Sequence, residues 1–343
     1  MSKFFDIDDP YEFTKDYVRK DVLLIPHFYE VKWSRDLSNF LSRVFVSKKP
    51  FIFGSWEKSR VSQDMYIKEF EEFLREGKFT KVFFTNVGDF EFQVMDQFSD
   101  YVEFYGFIHG SSFLDTEPGN RRITDEERKR NQEIEVRNST KFTKIFSATF
   151  WFDEVLPYPT KTIGLPVFQE MWSPRKSDSI IYNHRLDKSK NPEYADKLPK
   201  ELRQKILWSL PFTLPSGYGS HFPMKYGTRY VDTKNNEALY QQNLKNCGFG
   251  ISFAEHDTFG YGVIEGIFAG LCYLCPRNDK TCYQEYMIDE LLYDDLDELG
   301  DKLNYYMENE DEKIKIVEKQ QKIVKQMYSP EIWLEKLMEN LNG

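Results

Sequence analysis

Cysteine is scarce, with four residues in 343, and nothing suggests a disulfide scaffold. The N-terminus, Met1-Ser2-Lys3-Phe4-Phe5-Asp6, lacks the charged-then-apolar layout of a secretory signal. Together these features point to reduced thiols and a cytoplasmic protein. No apolar stretch approaches the roughly 18 residues that a membrane span needs. Positive charge is also in deficit, 46 Lys and Arg against 56 Asp and Glu, for a net charge of −10. That balance excludes a broadly basic coat for nucleic acid. Internal repeats and low-complexity linkers are absent, so the length belongs to ordinary globular domains. Cys272 and Cys275 form a C-x-x-C pair, with Cys247 and Cys282 elsewhere. A zinc site and a buried strand are both readings of Cys272-Tyr273-Leu274-Cys275, and the apolar pattern favours the strand.

What the chain does have is enough length for two domains with ample core. Aromatic residues make up 17% of it, sufficient to fill two large interiors. Strands are expected over 21–28, 50–56, 81–87 and 102–108, interleaved with helical patterns near 34–46, 62–76 and 123–138. Thr124 stands as an N-cap for the last of these. The stretch 144–152 reads as the final strand of a first domain, and 164–167 as the crossing to a second. In the second half, 179–184 and 249–254 read as short buried strands. Helices are expected over 236–247, 294–309, 311–328 and 330–341. Charge is uneven: 286–312 is densely acidic, whereas Arg121, Arg122, Arg128, Lys129, Arg130, Arg137, Lys141 and Lys144 make a locally basic region. Such a region either faces a polyanion or is an ordinary solvated helix face.

The most informative run is Asp257-Thr258-Phe259-Gly260-Tyr261-Gly262-Val263-Ile264-Glu265, closed by Gly266-Ile267-Phe268-Ala269-Gly270. It reads as strand, acid-bearing loop, a helix opening near Tyr261, and a glycine stop. In a parallel α/β sheet such a loop lies at the carboxyl end of its strand, where ligands bind. Backbone N–H groups at the helix start suit an anion, and Glu265 would lie about one turn inside the helix. Taken alone, Asp257 could be a capping acid and Glu265 a solvated helix residue.

The whole string, however, resembles the acid-x7-acid motif of retaining sugar-nucleotide glycosyltransferases of GT-B architecture, similar to glycosyltransferase family 4. An Asp here replaces the usual first Glu, which bears on the identity of the donor sugar. In that family the first acid holds hydroxyls of the donor sugar and the second holds the nucleotide ribose. The resemblance carries these roles to Asp257 and Glu265, with Thr258, Phe259 and Gly260 lining the donor. Upstream by some 70 residues, a strand is followed by Arg185-Leu186-Asp187-Lys188-Ser189-Lys190, similar to the family's Gly-Arg-Leu-x3-Lys-Gly. Arg185 and Lys190 match the two cations that neutralise the diphosphate; His184 and Asn191 stand where the family has glycines. Tyr283-Gln284-Glu285 resembles the family's Tyr-Pro-Glu. The resemblance is specific over about 177–290 and holds only at the level of fold before residue 140.

It implies an α/β chain with two Rossmann-like domains facing each other across a cleft: an acceptor domain over 1–168, a donor domain over 169–328, and a final helix over 329–343 crossing back. It implies a nucleotide-diphosphate sugar, such as a UDP-sugar, as co-substrate. No Asp-x-Asp motif is placed to serve a diphosphate, so no obligatory metal is expected. His109, after the strand at 102–108, is a candidate for facing donor sugar and acceptor; His27 is a weaker version of the same idea. The motif region resembles transferases that glycosylate nucleic-acid bases, such as queuosine-tRNA mannosyltransferases. Length and the Lys-, Asp-, Phe- and Tyr-rich usage resemble enzymes of virulent phages. A hydroxymethylated base in DNA is therefore the expected acceptor. A tRNA base, a cell-surface glycan or lipopolysaccharide are the enzymatic alternatives, and a degenerate GT-B binding module is the non-enzymatic one.

Overall fold

A computed structural model describes residues 10–26, 32–47, 68, 71, 72, 74–77, 79–85, 95, 98–114, 123–186, 188–210, 230–233 and 236–342. The chain divides into two compact units, Met1–Pro166 with Glu331–Gly343, and Val167–Pro330. The described helices used below are α1 (Lys32–Leu41), α2 (Asp125–Ser139), α3 (Phe150–Val155), α4 (Glu237–Asn246), α5 (Tyr261–Phe268), α6 (Leu296–Glu308), α7 (Glu310–Tyr328) and α8 (Pro330–Asn342). None of them is long and apolar enough to cross a membrane.

Each unit is built on a six-stranded sheet in which every pairing is parallel, the Rossmann-like arrangement of the GT-B class. In the first unit the strands are β1 (Arg19–Ile25), β2 (Phe45–Ser47), β3 (Lys81–Phe84), β4 (Glu103–Ile108), β5 (Lys144–Ser147) and β6 (Lys161–Thr162), in the order β2-β1-β3-β4-β5-β6. Helices cover parallel sheets on both faces, so their strands read as continuous apolar runs. Val22 to Leu24, Val82 to Phe84 and Phe104 to Ile108, glycine included, are accordingly buried. Phe83 stacks on Phe146 at 5.9 Å. The last helix, α8, belongs to this unit: Trp333 Nε1 donates to Gly164 O at 2.8 Å and Lys144 Nζ to Asn340 O at 2.8 Å.

Two expectations here are corrected. The helix expected near 34–46 stops at Leu41, and Phe45–Ser47 pairs with β1 as an edge strand. Val44, Phe45 and Val46 are β-branched or aromatic and fit a pleated surface better than a helix. The strand expected over 144–152 ends at Ser147, and Phe150–Val155 turns into α3. There Phe152 is buried while Phe150 points outward at 56% exposure. An aromatic run thus hides a one-sided helix. The strand at 50–56, most of the helix at 62–76, and His27, Arg121, Arg122 and Asp187 lie outside the described residues; positions 71, 72 and 74–76 are helical.

The second unit contains β7 (Ile180–Tyr182), β8 (Ile206–Leu210), β9 (Tyr230–Asp232), β10 (Phe249–Ile251), β11 (Cys272–Pro276) and β12 (Leu292–Tyr293), ordered β12-β11-β10-β7-β8-β9. The chain runs outward from β7 through β9, then returns to the other side of β7 to place β10. The order therefore reverses between β7 and β10, which pair as Phe249↔Ile180 and Gly250↔Ile181.

Candidate functional site

Two loops leave the carboxyl ends of β7 and β10, one carrying Asn183 to Leu186 and Lys190, the other Ser252 to Gly260. Crossovers diverge to opposite sides at such a reversal, and the place between them is the usual ligand position in an open parallel sheet.

Asp257 is the hub of the second loop. Its Oδ2 accepts from Lys190 Nζ at 2.9 Å and from the Tyr283 hydroxyl at 2.8 Å, while Oδ1 accepts from the Gly260 N–H at 3.1 Å. Lys190 Nζ donates also to His256 O at 2.8 Å. The side chains of Lys190 and Asp257 are 7% and 13% exposed, so water screens this pair little. Burial alone would push the Asp257 carboxyl up. The charges of Lys190 and His184, with hydrogen bonds from Lys190 and Tyr283, outweigh it and hold the group well below the usual carboxylate range. Tyr283, buried beside this charge, is pushed well above the ordinary phenol value and stays a donor.

Gly260 begins α5 in the left-handed region (φ 69°, ψ 43°). A Cβ there would lie 2.5 Å from the Tyr286 hydroxyl and 2.9 Å from the Tyr283 ring, so backbone conformation and space both demand glycine. Its carbonyl accepts from Val263 and Ile264 N–H at 2.8 and 3.1 Å, closing the first turn. Phe259 is buried and meets Tyr328 edge-on at 5.2 Å, whereas Thr258 is half-buried. These contacts anchor the loop that turns into α5.

Glu265 is not a solvated helix residue: it is 3% exposed. The Tyr240 hydroxyl, from α4, donates to its Oε2 at 3.0 Å. Asn183 Nδ2 donates to the Tyr240 oxygen at 3.0 Å and to Gly262 O at 2.9 Å. The Tyr273 hydroxyl donates to Asn183 Oδ1 at 2.6 Å and lies 3.1 Å from His184 Nε2. Tyr273 reaches this place because Gly250 and Gly266 have no side chain; a Cβ on either would fall within 2.6 Å of its ring.

The structure thus brings Lys190, Asp257 and Gly260 into direct contact and places Glu265 on the helix they start. The N–H of Gly260, at the helix start expected to suit an anion, is given to Asp257. Arg185 is exposed on the same loop as Lys190. Asn191, standing where the resembled family has glycine, takes a left-handed conformation (φ 41°), alone among the described non-glycine residues. Asn is the side chain that tolerates that region best. Asn183, Tyr240, Tyr273 and Ser252 carried no sequence signal of their own. Ser252 bonds Tyr283 at 2.8 Å, and Tyr240 reads as one more residue on the buried side of a helix with Asn243 and Leu244.

His109 belongs to the first unit, at the carboxyl end of β4, with its ring 3.9 Å from that of Trp33. The loop that follows it is clamped from α2. Glu135 accepts from Ser112 N–H at 2.8 Å and from the hydroxyls of Ser111, Ser112 and Tyr158. Arg128 donates to Ser112 O at 3.1 Å and Phe113 O at 3.2 Å. Arg128 is therefore a loop anchor, and Lys129, Arg130 and Arg137 are the exposed cations of α2. Cys272 and Cys275 lie buried in β11, none of the four cysteines is disulfide-bonded, and burial pushes the Cys272 thiol up to about 12. Among the described residues no three His, Cys, Asp or Glu side chains gather as metal ligands would.

No protein-family model matches the chain, and no curated protein matches it by sequence. Solved structures do. Sucrose-phosphate synthase from Thermosynechococcus elongatus aligns with a TM-score of 0.71 at 11% identity, covering 94% of this chain and 98% of its own. HepE from Anabaena, solved with UDP and glucose, aligns over the same shares with a TM-score of 0.66 at 11% identity. An alpha-glucosyltransferase solved with UDP and a 13-mer DNA containing an HMU base aligns, again over 94% and 98%, with a TM-score of 0.59 at 10% identity. At these identities the likeness is one of fold, and it spans both units of the chain.

Proposed function

We propose that the chain is a retaining glycosyltransferase that moves a sugar from a UDP-sugar to a hydroxyl acceptor. The observation that carries this reading is the Lys190–Asp257 pair at the chain reversal between β7 and β10, beside the start of α5, with Glu265 buried on that helix. Two of the three Lys190 donors are used by Asp257 and His256, which leaves one for an anion. Lys190, Arg185 and the positive end of α5 would receive the charge that gathers on a departing diphosphate, the main requirement of this reaction. Glu265 would hold the ribose. Asp257, fixed by three donors, would present its carboxylate edge to a sugar hydroxyl. The bond from the anomeric carbon to phosphate oxygen breaks, the bond to the acceptor oxygen forms on the same face, and the acceptor proton passes to the leaving phosphate. Two of the three proteins of similar fold named above were solved with UDP.

For the acceptor the reading is a hydroxymethylated base in DNA. It is supported by the fold shared with a protein solved on HMU-containing DNA and by the exposed Lys129, Arg130 and Arg137. A base inside a duplex must be reached through a groove or flipped out. The experiment is transfer from radiolabelled sugar nucleotides to hydroxymethylcytosine DNA, tRNA and lipid-glycan acceptors, at low and at moderate salt. Label on the DNA, declining steeply as salt rises, is the expected result. Label on a glycan alone contradicts the acceptor, and neither transfer nor donor hydrolysis with any nucleotide contradicts the enzyme.

A further inference from the structure

One backbone carbonyl fixes the direction of every bond in the buried chain from His184 to Glu265. Gly262 O, in the first turn of α5, can only accept, so the Asn183 amide atom 2.9 Å away is Nδ2. The other amide atom, Oδ1, then faces the Tyr273 hydroxyl at 2.6 Å, which donates to it rather than to Ile251 O at 3.3 Å. With its proton committed, the Tyr273 oxygen accepts from His184 Nε2 at 3.1 Å. The second Nδ2 hydrogen meets the Tyr240 oxygen at 3.0 Å. The Tyr240 proton is thereby aimed at Glu265 Oε2, 3.0 Å away. Turning it aside would strip a bond from a carboxylate that is 3% exposed.

We infer that Tyr240 is a positioning residue for nucleotide recognition: its directed hydroxyl holds Glu265 as an acceptor for the paired ribose hydroxyls, and Asn183 keeps that hydroxyl directed. The inference rests on the donor-site reading above. A carboxylate can only accept, and two vicinal hydroxyls can only satisfy it by donating. A site built to bond a hydroxyl rejects the analogue that lacks it, because the bonds that the hydroxyl would make are lost. Holding the carboxylate in place before the ligand arrives removes an ordering cost from binding. The same bonds tie the ribose-facing helix to the loop that bears Arg185, so one network orders both ends of the nucleotide diphosphate.

The test is calorimetric titration of the full chain with UDP and with 2′,3′-dideoxy-UDP. The wild type should prefer UDP by about tenfold or more, the size of a lost bond to a charged group. Tyr240→Phe, which removes a single oxygen, should weaken UDP by about tenfold and change the dideoxy ligand by less than about twofold, collapsing the preference. Asn183→Ala should reduce the preference in the same direction by a smaller factor, and serves alone if Tyr240→Phe does not fold. In a Glu265→Ala background, Tyr240→Phe should have no further effect on UDP. Variants that keep the wild-type preference, or lose affinity for both ligands equally, would overturn the role of Tyr240 while leaving that of Glu265 intact. A wild type that binds UDP without any preference would overturn the ribose role of Glu265, and the positioning role with it.

Discussion

Asp257 carries its charge where burial would ordinarily neutralise it. Lys190 on one oxygen, Tyr283 beside it and the Gly260 N–H on the other keep it ionised. The folded carboxyl titrates below its unfolded value, so its contribution to stability is present above the ordinary aspartate range and lost as pH falls through the folded value. Asp257→Asn should therefore cost about 3–5 kcal/mol at pH 7, the penalty for leaving the partner of a buried pair uncompensated. The gap to wild type should narrow by up to about 1.4 kcal/mol per pH unit below about pH 4. Urea unfolding of both proteins between pH 7 and pH 3 checks this; a gap that is small at pH 7, or constant with pH, would refute it. Lys190, Asp257 and Glu265 were singled out in the sequence by the resemblance of their surrounding motifs to a known family, as was Tyr283. The network around Glu265 was not: Tyr240, Asn183 and Tyr273 come from three separate elements, α4, the loop after β7, and β11. Only the folded sheet brings them within bonding distance.

The loop before α5 shows how one residue sets an element. Gly260 has φ 69° and two tyrosine rings where a Cβ would go. Gly260→Ala should destabilise the second unit by about 1–3 kcal/mol, and should shift the Asp257 loop enough to weaken nucleotide binding. Thermal melting and UDP titration of that variant check both; wild-type behaviour in each would show that the conformation is not required. Long periodic helices were legible, because their caps and apolar spacing are local: Thr124 is the expected N-cap of α2 and closes a capping box with Glu127. Short strands were less so. β8 is a fully buried apolar run, Ile206-Leu207-Trp208-Ser209-Leu210, indistinguishable by periodicity from a helix segment. β6 and β12 are two residues each and owe their existence to a neighbouring strand. The run from Phe150 to Phe152 misled because aromatic content favours strands, whereas the burial of Phe152 and exposure of Phe150 belong to a helix.

At the scale of the molecule, two parallel sheets each reverse their order once, between β1 and β3 in one unit and between β7 and β10 in the other. In the second unit the buried Lys190–Asp257 pair lies on the loops at that reversal, although the chain as a whole has a net charge of −10. In the proposed reading, local fixed charge rather than net charge would attract an anionic ligand here, and the Lys190 ammonium, buried and paired with Asp257, would be little screened. The most direct measurement of the central claim is calorimetric binding of UDP to the wild type and to Lys190→Ala. Micromolar to submillimolar binding by the wild type, weakened at least about tenfold by the loss of a charge-assisted bond, is the expected result. Equal affinity of the two proteins for UDP, or no binding by a folded wild type, would contradict the account.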